Sequence, residues 1–152
     1  MLFRSNSVLT LNQTVKKLET FASGHKQLKS NFLFGQFYDY VANKGEKYPA
    51  MVVYLQPNQL TENTDTYSFQ VTIFDRIKKD LSNEIEVLSD INLICKDLIS
   101  YFKNSPTERD VIINTSVTLN DFTDREDSET AGYYFDITFR QNFDYNYCAI
   151  PL

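Results

Sequence analysis

Tyr67-Ser68-Phe69-Gln70-Val71-Thr72-Ile73 decides the fold class. Large apolar side chains alternate with Ser, Gln and Thr, and a period of two sends Tyr67, Phe69, Val71 and Ile73 to one face of a strand. Upstream, Ala50-Met51-Val52-Val53-Tyr54-Leu55 is a short apolar run between Pro49 and Pro57, which reads as a buried strand. The polar stretch 58–66 between them reads as a loop, so the two strands are expected to pair as a long-looped hairpin. Downstream, Val111, Ile113, Thr115, Val117 and Leu119 form a third alternating run. Tyr133, Phe135, Ile137 and Phe139, interleaved with Tyr134, Asp136, Thr138 and Arg140, form a fourth.

Two helices flank these strands. Thr10 and Gln13 match a capping box ahead of Leu11, Val15, Leu18 and Ala22, which share one stripe at helical spacing. Gly24 stands where a left-handed C-terminal cap belongs, so the first helix is expected over 11–23. Asn83 and Glu86 match a second capping box, ahead of the stripe Leu88, Ile91, Cys95, Leu98 and Phe102, widened by Ile94 and Ile99. Glu84 and Glu86 sit near the positive end of that helix dipole, Lys96 and Lys103 near the negative end, and Pro106 stops the run. Residues 1–9 read as an N-terminal arm and 143–152 as an aromatic C-terminal tail. The expected fold is a single α+β domain over 1–152. It has an antiparallel sheet of four to five strands with two main helices packed on one face. The fifth strand would lie near 32–40, broken by Gly35.

Two segments hold more aromatics than a simple core uses. They are Phe32, Phe34, Phe37, Tyr38 and Tyr40, and the tail residues Phe143, Tyr145 and Tyr147. Rings of this kind suit subunit or partner interfaces, because they bury a large face while a tyrosine hydroxyl stays wet.

The chain has 152 residues, 15 Lys and Arg against 20 Asp and Glu, and a net charge of -5. An acidic chain is a poor phosphate binder, since phosphate contacts dominate nucleic-acid affinity. The sign suits solubility, or a surface past which DNA slides without sticking. Cys95 and Cys148 form no CxxC pair and read as reduced thiols. The sequence carries no apolar run of membrane-spanning length and no secretory h-region, so a cytoplasmic site of synthesis is expected.

Catalytic motifs are missing. His25 is the single histidine and the chain has 4 glycines, with no phosphate-cradling glycine loop among them. His25 follows the first helix, where an imidazolium would meet the helix C-terminus. Cys95 lies on an apolar stripe and reads as core. The stretch Asp75-Arg76-Ile77-Lys78-Lys79-Asp80 reads as a mixed-charge turn. The acidic segment within 120–131 brings together Asp121, Asp124, Glu126, Asp127 and Glu129. It reads as a solvated loop, as a charged surface that repels DNA or meets a basic partner, or as a hard-cation site. The DxDxDG order of an EF-hand is absent.

Several pieces recur in one order. They are Tyr48-Pro49 before a buried strand; Phe74-Asp75-Arg76 closing the next; Asn83 and Glu86 before Val87-Leu88-Ser89-Asp90; Asp97-Leu98-Ile99 in the same helix; Phe122 and Asp124; Ala131-Gly132; and Cys148, Ile150 and Pro151 at the end. Over nearly the whole chain this order resembles small neck or tail-completion proteins of tailed bacteriophages, including crAss-like and other phages of Bacteroidetes hosts, with a tail-terminator-like plan. The resemblance implies a non-enzymatic virion structural protein without cofactor or metal, assembled in the host cytoplasm. It would form a homo-oligomeric ring, hexameric or dodecameric, at the head–tail junction. Its partners would be copies of itself and neighbouring portal, neck or tail proteins, with genomic DNA passing through and no membrane contact. A heterologous ring needs two different surfaces per copy. The aromatic segment 32–40 and the tail, together with strand edges, are the candidates. The alternatives are a monomeric binding module or assembly chaperone, and an enzyme using a metal on the acidic loop.

Overall fold

The computed structural model describes residues 9–42, 47–104, 111–114, 116–145, 148 and 150–152. In chain order the elements are α1 (Leu11–Gly24), β1 (Phe32–Phe34), α2 (Phe37–Val41), β2 (Ala50–Leu55), β3 (Gln59–Leu60) and β4 (Thr64–Arg76). They continue with α3 (Glu84–Asn104), β5 (Val111–Ile113), β6 (Asn120–Asp124) and β7 (Thr130–Asn142). The fold is α+β, as expected, with more strands than the sequence advertises. Seven strands form one sheet in the order β1-β2-β4-β7-β5, with β3 added on β4 and β6 on β7. Every pairing is antiparallel except β1 with β2.

The opening stretch lies at the centre of this sheet. β4 and β7 are each 13 residues long and pair along their whole length, from Thr64 opposite Asn142 to Arg76 opposite Thr130. Their alternation places Phe69 beside Ile137 and Val71 beside Phe135, all buried. β2 pairs with β4 as the hairpin reading requires, Val53 opposite Val71.

Both faces of β2 are covered. Met51 and Val53 enter the main core with Leu18, Ala22, Ile91, Ile94, Cys95 and Leu98 from α1 and α3. Ala50 and Val52 join a second, smaller core with Tyr40 and Phe74, against which Phe37, Tyr48 and Phe122 pack. Helices therefore lie on both faces, α1 and α3 on one and the short α2 on the other. The two main helices, α1 and α3, share one face as expected, and the short α2 on the other face is an addition. The cause is the aromatic content of residues 37–48, which closes a second apolar layer over Phe74. Phe37 makes edge-on contacts with Phe74 (4.8 Å between centroids) and Phe122 (5.5 Å). Those two rings come from β4 and β6, on either side of Gly132 in β7, and no side chain stands between them.

Four local expectations need correction. The Thr10–Gln13 capping box forms, but Gly24 is the last helical residue and not a left-handed cap. The left-handed positions come later, at Lys29 (φ 49) and Ser30 (φ 70), where Ser30 N–H bonds back to the Ala22 carbonyl. At α3, the Asn83 carboxamide accepts the Lys78 N–H at 2.8 Å, so this residue closes the preceding loop and not a box with Glu86. The third alternating run leaves the ladder at Ile113. Asn114 then substitutes its amide for backbone, accepting from Thr138 N–H and donating to the Asp136 carbonyl. Val117 and Leu119 still pack on the core. Finally, the acidic segment is not a loop throughout, because residues 120–124 are β6. The stop at Pro106 and the arm 1–8 lie outside the described residues.

Candidate functional site

The two aromatic segments separate into interior and exterior rings. β1 holds Phe32, half-buried against the main core, and Phe34 at its end, 45% exposed. Gly35 turns the chain, and α2 then buries one side and presents the other. Tyr40 is interior: it packs edge-on against Tyr48 and Phe74, and its hydroxyl donates to the Lys47 carbonyl. Phe37 is half-buried in the same layer. The expectation that Tyr40 is an interface ring is corrected in favour of core packing, while Phe37 keeps one side open. Tyr38 projects outward at 66% exposure.

Beside Tyr38 runs a groove of about 340 Å³. Phe37, Tyr38, Val52, Tyr54, Gln70 and Thr72 line it, and Gln36 closes one end. It exists because α2 covers only the Phe74 end of the sheet's second face, leaving Tyr54, Gln70 and Thr72 without a helix above them. Tyr54, 45% exposed, is the opposite wall. Among the described residues, no charged side chain lines it. Sequence reading missed Tyr54, Gln70 and Thr72, because they are the outward half of strands judged by their inward half.

The tail has a defined start. Phe143 N–H bonds to the Asn63 carbonyl, and the Tyr145 hydroxyl donates to the Thr61 carbonyl at 2.6 Å. The two rings meet edge-on at 4.9 Å. Tyr147 lies outside the described residues. Farther on, Ile150 and Leu152 are exposed, Leu152 at 94%.

The five acidic residues are divided by the β6–β7 hairpin. Strand alternation puts Asp121 and Asp124 on opposite faces of the sheet. Glu126 and Asp127 occupy the turn, and Glu129 (φ 52) leads into β7 with its carboxylate 3.8 Å from Lys79 Nζ. Asp124 organises the turn, accepting from the Asp127 and Ser128 N–H groups and from Ser128 Oγ. Burial pushes its carboxyl pKa up. The hydrogen bonds from the Ser128 side chain and from the backbone of Asp127, Ser128 and Glu126 outweigh that and hold it below the ordinary value. Its lone pairs are thus committed to the protein. Among the described residues, no three His, Cys, Asp or Glu side chains gather as metal ligands would.

The remaining titratable groups are engaged locally. His25 Nε2 lies 2.9 Å from Asp97 Oδ2, joining the end of α1 to α3, while Nδ1 accepts the Gln27 N–H. Both ring nitrogens have protein partners, which leaves neither poised as a general base. Cys95 is buried, and burial pushes its thiol up to about 12, so it is no nucleophile at neutral pH. A cleft of about 330 Å³ between the α1–β1 connection and α3 holds Asp75 and Asp90 with Lys26 and Lys29 at its rim. Burial raises the Asp75 pKa; the Arg76 backbone N–H lowers it, and the neighbouring Asp90 charge adds to the rise. Among the described residues, no helix is long and apolar enough to cross a membrane.

No protein-family model and no curated protein matches the chain.

Proposed function

We propose that this chain is a virion structural protein that forms a homo-oligomeric ring, six- or twelve-fold, at the phage head–tail junction around the DNA channel. The observation that carries the reading is the uncharged aromatic groove on the half-covered second face of the sheet, bounded by Tyr38 and Tyr54. A groove of this composition buries apolar area against protein, and among the described residues it brings no Lys or Arg to phosphate. The resemblance of the order of sequence pieces to phage neck and tail-completion proteins supports the location. The net charge of -5 suits a lining that DNA must pass without sticking. The engaged nitrogens of His25, the buried thiol of Cys95 and the committed carboxylate of Asp124 support a non-catalytic role.

The experiment is native mass spectrometry of the purified chain, with localisation of the chain in particles by electron microscopy. A closed ring of six or twelve copies, found at the neck, is expected. A strict monomer missing from particles would overturn the proposal and favour an assembly chaperone that uses the same groove transiently.

A further inference from the structure

Building on that reading, we infer that the groove between α2 and the strands β2 and β4 receives the apolar tail segment 150–152 of a second copy. Each copy then gives its tail to one neighbour and its groove to the other. Four observations on the molecule lead here.

The two surfaces match in chemistry. Among the described residues the groove is lined by rings, Val52, two glutamines and Thr72, with no charged side chain. No side chain from Cys148 to Leu152 is charged either, and Ile150 and Leu152 expose their side chains instead of packing on their own copy. In a chain of net charge -5, copies repel over most of their surface, so a neutral seam is where two of them can close without burying unpaired carboxylates.

The two surfaces also lie apart on one copy. The tail is tied to Thr61 and Asn63, beside the start of β4. Gln70 and Thr72 stand roughly 20 to 26 Å farther along that strand, at ~3.3 Å per residue. The groove and the point where the tail is attached are therefore two distinct patches, which is what a head-to-tail contact requires.

Pro151 shapes the occupant. It has no N–H to satisfy and its φ is held by the ring, so little chain entropy is lost when the segment docks. Aromatic-walled grooves favour proline-containing segments for this reason. Gln36 and Gln70 stand at the groove to bond the peptide groups that flank the proline.

The test uses two variants of the full chain, Tyr54→Asp in the groove and Leu152→Asp in the tail. Both positions are exposed, so the fold is expected to persist, and circular dichroism checks that it does. In native mass spectrometry each variant alone should drop to the 17.7 kDa monomer. An equimolar mixture should give dimers and nothing larger, because one intact tail meets one intact groove and the chain of contacts then stops. If the wild-type chain forms rings and either variant keeps the ring mass, this inference falls and the ring reading stands. If both variants are monomeric but the mixture yields no dimer, the tail does not enter a neighbour's groove and the inference also falls. If the wild-type chain is monomeric at every concentration, both fall together.

Discussion

Replacing Gly132 with Ala should remove a large part of this molecule's margin of stability. Gly132 faces Phe74 across the β4–β7 ladder. A Cβ built on it would overlap the Ile73 carbonyl oxygen and lie 2.7 Å from Phe74 Cα and 2.9 Å from Phe74 Cβ. Two of those three atoms are backbone, so no side-chain rotation relieves the clash. The strands must separate by about 1 Å to reach ordinary contact, and the ladder bonds on either side lengthen with them. Overpacking of this kind costs about 1–3 kcal/mol, and each weakened hydrogen bond about 1 more. A total of roughly 3–5 kcal/mol is a large part of the 5–15 kcal/mol that holds a domain. At ~2–4 °C per kcal/mol for a chain of this length, Tm should fall by about 10 °C or more, read by circular dichroism or as a shift in urea midpoint. The other two described glycines are internal controls. A Cβ on Gly35 meets only ordinary contacts of 3.7 Å, and one on Gly24 meets nothing within 4 Å. Gly35→Ala should be near neutral, and Gly24→Ala, at the end of α1, should stabilise by about 0.5–1 kcal/mol. A Tm for Gly132→Ala within 2 °C of wild type would refute the argument from close approach.

Thiol labelling of the native protein should modify Cys148 alone, since Cys95 is buried with its pKa pushed up to about 12; equal labelling rates would show that α3 does not pack as described. Asp75→Asn should raise Tm at pH 7. The folded pKa of Asp75 lies above its unfolded value, so the charged form is what the fold disfavours. The gain should vanish as pH falls below 3.8, where the wild-type carboxyl is protonated in both states. Asp124→Ala should cost about 1 kcal/mol at pH 7 through the lost Ser128 and Asp127 bonds. Because that carboxyl is held below its ordinary value of 3.8, the penalty should shrink only under more acidic conditions. A penalty independent of pH would mean the turn does not depend on the charge.

The elements that sequence alone revealed are those with one buried face and one wet face. β4, β7, α1 and α3 each declare a period, and burial broadly follows it, with Thr14, Phe21 and Phe74 buried outside the expected stripes. The elements that stayed hidden lack that contrast. β6 reads Asn120-Asp121-Phe122-Thr123-Asp124, and only Phe122 is large and apolar, so its pairing with β7 rests on backbone bonds that carry no compositional mark. α2 is 5 residues long, too short for a helical stripe to stand out beside the period-two pair Phe32 and Phe34. The run from Val111 to Leu119 shows the converse. Its alternation is real and Val117 and Leu119 are held against the core, yet Asn114 takes over the ladder bonds and the strand ends early. Of the candidate site, Tyr38 and the tail were legible as surplus aromatics. The groove was not, because its floor comes from the outward residues of two strands brought together by register.

The long β4–β7 pairing also governs when the molecule can exist during synthesis. Residues 64–76 have no partner on that edge until residues 130–142 have been made. At translation rates of ~5–20 residues per second, the interval is several seconds. Through it the nascent chain carries a 13-residue edge studded with Phe69, Val71 and Ile73, the kind of template on which neighbouring chains pair wrongly. Closing so distant a contact also slows the folding step itself. The central strand pair that stabilises the finished fold therefore leaves the unfinished chain open to wrong pairing until its last strand has been made.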